Sequence, residues 1–138
     1  MAQENNPILR VSDLHVHFIT EESLTIAVDG VSFELRRGES LGIVGESGSG
    51  KTVTALSIMK LLPIPPAFIP RGKIEFESEV LGGWVNLLKE SEKRLRRIRG
   101  KEIAMVFQEP MTSLNPVFRC GEQVDEAILT HEDVSSKE

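Results

Sequence analysis

The segment at residues 45–52 constrains the fold more than any other part of this sequence. It follows the pattern G-x-x-x-x-G-K-[ST], with glycine at 45, 48 and 50. Glycine tolerates the unusual dihedral angles that turn backbone N–H groups inward around an anion, and it lets that anion approach closely. Because such a loop forms between a strand and a helix, the pattern also predicts the elements on either side.

The residues next to the loop indicate both flanking elements. Residues 40–44 form a short apolar run that predicts a buried strand, and residues 52–62 are apolar almost all round, which predicts a buried helix. Lys51 would then face the β- and γ-phosphates of a nucleotide, and the Thr52 hydroxyl would coordinate Mg²⁺ at the positive end of the helix. The alternative is a flexible glycine-rich turn with a surface lysine. The predicted nucleotide site comprises Gly45, Glu46, Ser47, Gly48, Ser49, Gly50, Lys51 and Thr52.

Short elements surround this central part of the chain. Apolar and polar residues alternate at 13–18 and again at 31–35, which predicts an antiparallel layer leading into the strand at 40–44. The later elements are predicted as a strand at 73–77, a hairpin turn at Gly82-Gly83, a helix at 91–99 that ends at Gly100, a buried strand at 103–107 and the start of a helix at 123–129.

Composition and charge exclude several classes of protein. The chain has 138 residues with 16 basic and 21 acidic side chains, and its net charge of −5 is not that of a nucleic-acid binder. A single cysteine, Cys120, excludes a disulfide scaffold and fits a reducing, intracellular setting. No apolar stretch reaches the ~18 residues of a membrane span, and residues 1–7 lack the features of a secretory signal.

The phosphate loop alone leaves the reaction open, since GTPases, kinases and transport ATPases all use one. An N-K-x-D motif for guanine is absent. The basic run at 93–101 suits either the lid of a small-molecule kinase or the solvated face of an amphipathic helix. His15 and His17 suit either a metal pair or surface histidines on a strand, and no further ligand lies nearby in the sequence.

Four stretches of the chain resemble one known family. They are residues 9–14 followed by Phe18, residues 27–33 followed by 37–39, residues 42–52, and residues 98–116. Together they resemble the N-terminal part of the ATP-binding subunit of ABC transporters, in the dipeptide/oligopeptide and nickel importer group. The run Pro-Met-Thr-Ser-Leu-Asn-Pro at 110–116 is the most specific of these similarities.

The resemblance implies an α/β fold: a P-loop nucleoside triphosphate hydrolase core with an antiparallel β layer, truncated before the signature and Walker B motifs. The resemblance divides this partial domain, residues 1–138, into five segments. Residues 8–44 form an antiparallel layer and the strand into the P-loop, and residues 45–62 form the P-loop and its helix. Residues 72–107 form a hairpin, a helix and the Q-loop strand, residues 108–119 form the Q-loop, and residues 120–138 form the start of a helical subdomain or a frayed tail.

Further site residues follow from the resemblance. Phe18 would stack on adenine, although it also suits a core position on an alternating strand. Gln108 would reach Mg²⁺ and the attacking water, although it also suits a polar residue that ends a strand. The implied interface with the transmembrane permease subunits comprises Glu109, Pro110, Met111, Thr112, Ser113, Leu114, Asn115 and Pro116.

The resemblance also implies ATP-driven import of peptides by a pair of ATP-binding subunits at the cytoplasmic face of the plasma membrane. The motifs for hydrolysis are missing, namely an L-S-G-G-Q signature, a strand that ends in Asp-Glu and a switch histidine. Gln108 stands where a Walker B strand at 103–109 would need its aspartate. We therefore expect weak ATP binding and negligible hydrolysis by this chain alone. A non-catalytic nucleotide-binding module is the alternative, and the transported substrate (peptide, nickel or glutathione) stays open.

Overall fold

The computed structural model describes residues 6–108 and 113–132. The chain divides into two compact units, Met1–Ser91 and Glu92–Glu138. The first contains a β-sheet and the helix that follows the phosphate loop, and the second contains two helices. The segment predicted at 72–107 extends across the boundary between the units.

The sheet of the first unit is antiparallel throughout. Among the described residues it has four strands in the order β2-β1-β3-β4, with bounds β1 Pro7–Ile19, β2 Leu24–Arg36, β3 Ala67–Ser78 and β4 Gly83–Asn86. The antiparallel layer predicted from the alternating runs is therefore confirmed, and β1, β2 and β3 extend beyond those runs. A hairpin turn between β3 and β4 is confirmed, but it spans residues 79–82: Gly82 closes it, and Gly83 is already the first residue of β4, paired with Ser78.

A bulge in β1 keeps the apolar residues of this strand on one face. Leu9 and Val11 pair with Phe76 and Ile74 of β3, and the register of the β1–β2 pairing then shifts between Val11 and Leu14. The extra residue is accommodated where Asp13 has a φ of 48° and donates its backbone N–H to Ser32 Oγ at 2.8 Å. Strict alternation would place Val11 and Leu14, which are three residues apart, on opposite faces of the sheet. The extra residue of the bulge reverses the direction in which the following side chains point, so Leu14 lies in the core with Val11.

The opposite face of the sheet carries polar side chains. Arg10 pairs with Glu34 at 3.0 Å, and its guanidinium lies 4.5 Å from the centre of the Trp84 ring. His15 Nε2 lies 3.0 Å from an Asp13 oxygen, and Nδ1 lies 3.1 Å from an Asp29 oxygen. The described residues contain no group of three or more His, Cys, Asp or Glu suited to a metal ion.

Helix α1 (Lys51–Ile58) follows the phosphate loop, as predicted, but it is shorter than 52–62. It ends in a Schellman motif because Lys60 has a φ of 51°, and the N–H groups of Lys60 and Leu61 bond to the carbonyls of Ser57 and Leu56. Its buried residues are Thr54 and Ser57. The expected apolar burial all round the helix is therefore wrong.

The buried strands predicted at 40–44 and 103–107 are wrong. Neither segment is a strand in the structure, and Val44 and Val106 are 97% and 90% exposed. Ile103 forms only an isolated bridge with Arg99. A strand buried on both faces needs hydrogen-bonded neighbours at its edges, and among the described residues no strand pairs with either run.

The described part of the second unit contains two helices. Helix α2 (Glu92–Ile98) buries Leu95 and Ile98, and Gly100 follows it with a φ of 85°, as predicted. Helix α3 (Cys120–His131) confirms the helix expected around 123–129, and none of its own residues is buried. Within the described parts of the chain, no helix has the length and hydropathy that crossing a membrane requires.

Replacing Leu14 by alanine is expected to lower the free energy of unfolding by about 2–5 kcal/mol, since it opens a cavity at a position that is 0% exposed. Leu24→Ala is the matched control. That side chain is 57% exposed, so its change should stay within about 0.5 kcal/mol. Urea unfolding followed by Trp84 fluorescence measures both variants, and equal losses would contradict the assigned core.

Candidate functional site

The phosphate loop connects the exposed segment at 40–44 to α1 and rests on β2. Ser49 donates its N–H to the Glu46 carbonyl at 3.2 Å, which closes a turn. A Cβ on Gly50 would lie 2.3 Å from the carbonyl oxygen of Ala27, the residue left unpaired where the β1–β2 register shifts between Val16 and His17. Only glycine fits at this contact, and its φ of 87° is also one that favours glycine.

The N-terminus of α1 offers unpaired backbone donors beside the loop. Gly50 is the N-cap, and the Thr54 N–H bonds to the Gly50 carbonyl at 2.8 Å. The N–H groups of residues 51–53 precede this bond and have no partner within the helix. No acidic residue occupies the first turn, so the positive end of the helix dipole is not neutralised there.

The Lys51 ammonium lies inside the loop. It donates to the Gly45 carbonyl at 2.6 Å, the Glu46 carbonyl at 2.7 Å and Ser49 Oγ at 3.1 Å. An ammonium group has three N–H donors, so these contacts use all of them. The loop therefore holds a positive charge next to the free N–H groups of α1.

These groups fit a bound polyphosphate. Backbone N–H groups at a helix N-terminus together with a lysine ammonium form an anion site, and the neighbouring glycines leave room for close approach. Thr52 is exposed in the first turn of α1, where its hydroxyl can serve as a magnesium ligand. Magnesium that accompanies a nucleotide needs few protein ligands, because phosphate oxygens and water complete its coordination.

The structure places the other predicted residues as follows. Phe18 lies near the end of β1, half-buried, and pairs with Thr25 of β2 and Ala67 of β3. Gln108 lies in the second unit and is exposed. It does not end a strand, because residues 103–107 do not form one.

The predicted permease interface is only partly described. Glu109, Pro110, Met111 and Thr112 lie outside the described residues, whereas Ser113 to Pro116 are exposed. The Gln123 side chain holds this stretch: it accepts from the Asn115 N–H at 2.8 Å and donates to the Asn115 and Phe118 carbonyls at 3.0 and 3.2 Å. Sequence reasoning missed Gln123, since no local pattern marks a side chain that bonds to backbone eight residues away.

The basic run at 93–101 pairs with a carboxylate of its own helix. Arg99 donates to Glu92 at 2.5 Å, and Arg96 lies 3.8 Å from the same carboxylate oxygen. Glu92 stands in the first turn of α2 and Arg96 in the last. The Glu92–Arg96 pair, four residues apart, is typical of a solvated helix face.

Comparison with known proteins decides the family. The sequence matches the ABC transporter family over residues 28–137. This chain belongs to the ABC transporter family. Membership of this family implies a nucleotide site for ATP, and it confirms both the resemblance and the fold class derived from the motifs, a mixed α/β fold with an antiparallel sheet.

Three relatives of this ABC transporter chain are named as ATP-binding proteins of peptide transport. It is 48% identical to the oligopeptide transport ATP-binding protein OppD of Bacillus subtilis, over 94% of this chain and 35% of that protein. It is 49% identical to a probable peptide ABC transporter ATP-binding protein, y4tR, of Sinorhizobium fredii, over 100% of this chain and 41% of that protein. It is 47% identical to the dipeptide transport ATP-binding protein DppD of Bacillus subtilis, over 94% of this chain and 37% of that protein. The chain thus spans about 35–41% of these relatives' length.

Alanine substitutions at two glycines of the loop distinguish the effect of a steric clash from that of backbone strain. Gly48 and Gly50 both have positive φ, but a Cβ on Gly48 would meet nothing within 4 Å, whereas one on Gly50 would strike Ala27. We expect Gly48→Ala to cost about 1–2 kcal/mol and Gly50→Ala about 1–3 kcal/mol more. Urea unfolding of the two variants measures the difference; a larger loss for Gly48→Ala would refute the contact with β2.

Proposed function

We propose that this chain is the nucleotide-binding part of the ATP-binding subunit of an ABC transporter that imports peptides. The observation that carries the proposal is the Lys51 ammonium held in the glycine loop at the N-terminus of α1. The names of the relatives support peptides as the transported class. Their whole length includes parts that this chain does not span.

The loop residues have separate roles in this proposal. The N–H groups of the loop that are not used in its own turn, together with those of the first turn of α1, bind the β- and γ-phosphates, and Lys51 adds its charge. The Thr52 hydroxyl serves as a ligand of Mg²⁺, which when bound neutralises charge on the phosphates. Phe18 stacks on the adenine, for which its ring offers an apolar face.

The partners in this proposal are transmembrane permease subunits and a second ATP-binding subunit, at the cytoplasmic face of the plasma membrane. Residues 109–116 form the proposed contact with the permease. What supports this is the exposed stretch at 113–116, which Gln123 holds by two hydrogen bonds to Asn115, with a third to Phe118 just beyond it. A pre-organised turn loses less conformational entropy when it docks than a flexible one does.

Lys51→Ala is expected to weaken ATP binding by roughly ten- to a hundredfold, because this factor corresponds to the free energy that hydrogen bonds to a charged group contribute. Lys93→Ala, which removes an exposed lysine from α2, is the matched control and should bind as the parent chain does. Titration with a fluorescent ATP analogue measures the affinities. No turnover is expected from the chain alone, and steady-state ATPase activity that Lys51→Ala abolishes would overturn that expectation.

Phe18→Ala is expected to reduce the affinity for ATP by roughly five- to a hundredfold, since stacking contributes about 1–3 kcal/mol per base. It should leave the affinity for tripolyphosphate, which has no base, unchanged. Phe68→Ala is the control: that ring packs edge-on against His17 at 5.3 Å on the outer face of the sheet. Competition titrations with both ligands measure the effect, and equal losses for ATP and tripolyphosphate would exclude stacking.

A further inference from the structure

Ser49 places its hydroxyl across the interior of the phosphate loop. A Cβ on Gly45 would lie 2.4 Å from Ser49 Oγ, so this hydroxyl lies directly over the backbone at the first glycine of the loop. The same oxygen accepts a hydrogen bond from Lys51 Nζ at 3.1 Å. Ser49 is exposed, and therefore this arrangement does not follow from packing in the core.

The Ser49 hydroxyl occupies a position in the Lys51 hydrogen-bond shell that a phosphate oxygen also needs. The ammonium has three donors, and two of them go to the Gly45 and Glu46 carbonyls. The third goes to Ser49, the side-chain partner of this ammonium among the described residues. An incoming phosphate must displace at least one of these acceptors before Lys51 can bind it.

We propose that Ser49 is a positioning residue that keeps Lys51 turned into the loop and thereby lowers the affinity for polyphosphate. Its hydroxyl acts as an internal competitor for the ammonium. This inference rests on the proposed function, because it names what regulates binding at the same site. In the proposed function the phosphate contacts of the loop come from backbone N–H groups, which substitution of the Ser49 side chain leaves in place.

Affinity measurements give the first test. Ser49→Ala is expected to bind ATP and tripolyphosphate about two- to tenfold more tightly, because this factor corresponds to the net free energy of one hydrogen bond. A gain in affinity is a result that structural damage does not produce. Ser49→Thr restores the hydroxyl and should return the affinity to that of the parent chain. Ser40→Ala, the same substitution on the exposed segment before the loop, is the matched control. Weaker binding by Ser49→Ala would show that the hydroxyl contacts phosphate instead, and would overturn the proposal.

Reactivity of the Lys51 amine gives a second test that needs no nucleotide. A small acylating reagent and peptide mass spectrometry measure the labelling rate at Lys51 in the parent chain and in each variant. Ser49→Ala should raise this rate at least twofold, while Ser49→Thr and Ser40→Ala should not. An unchanged rate in Ser49→Ala overturns the proposal. If all variants fail to bind ATP but labelling rises in Ser49→Ala, the proposed function fails and the control of Lys51 by Ser49 stands.

Discussion

The bulge at Asp13 is the constraint on which the first unit depends. β1 pairs along both edges, with β2 on one side and β3 on the other. Side chains alternate strictly along a strand, so a shift of one residue would turn Leu14 and Val16 to the polar face. The left-handed φ of Asp13, held by Ser32, absorbs the extra residue. One local irregularity thereby keeps the apolar positions before and after it in the same core.

A second irregularity connects this sheet to the phosphate loop. Ala27 is unpaired in the β1–β2 ladder, and its carbonyl lies against Gly50. Gly50 is also the N-cap of α1, so the same residue sets where the helix begins and where its free N–H groups lie. Lys51 follows it directly. The geometry of the charged loop is therefore determined partly by strand pairing, and not only by the glycines within it.

The sequence predicts the glycine-rich turn at 45–50 and the helix after it because these signals are local, and it predicts β1 and β2 because alternation is local too. It does not predict the Schellman motif at Lys60, since lysine seldom adopts a positive φ. The apolar runs at 40–44 and 103–107 indicate a preference for burial but say nothing about which strands pair with them. The contact between Ser49 and Lys51 depends on rotamers inside a turn, and no spacing of residue types encodes it.

The two unpaired apolar runs have a consequence for the behaviour of the chain in concentrated solution. Residues 41–44 and 103–107 contain no charged side chain, and their residues Val44 and Val106 are almost fully exposed. Uncharged segments of high β-propensity with free backbone groups add to one another as intermolecular strands. Self-association of the chain at high concentration is therefore expected to begin at these two runs.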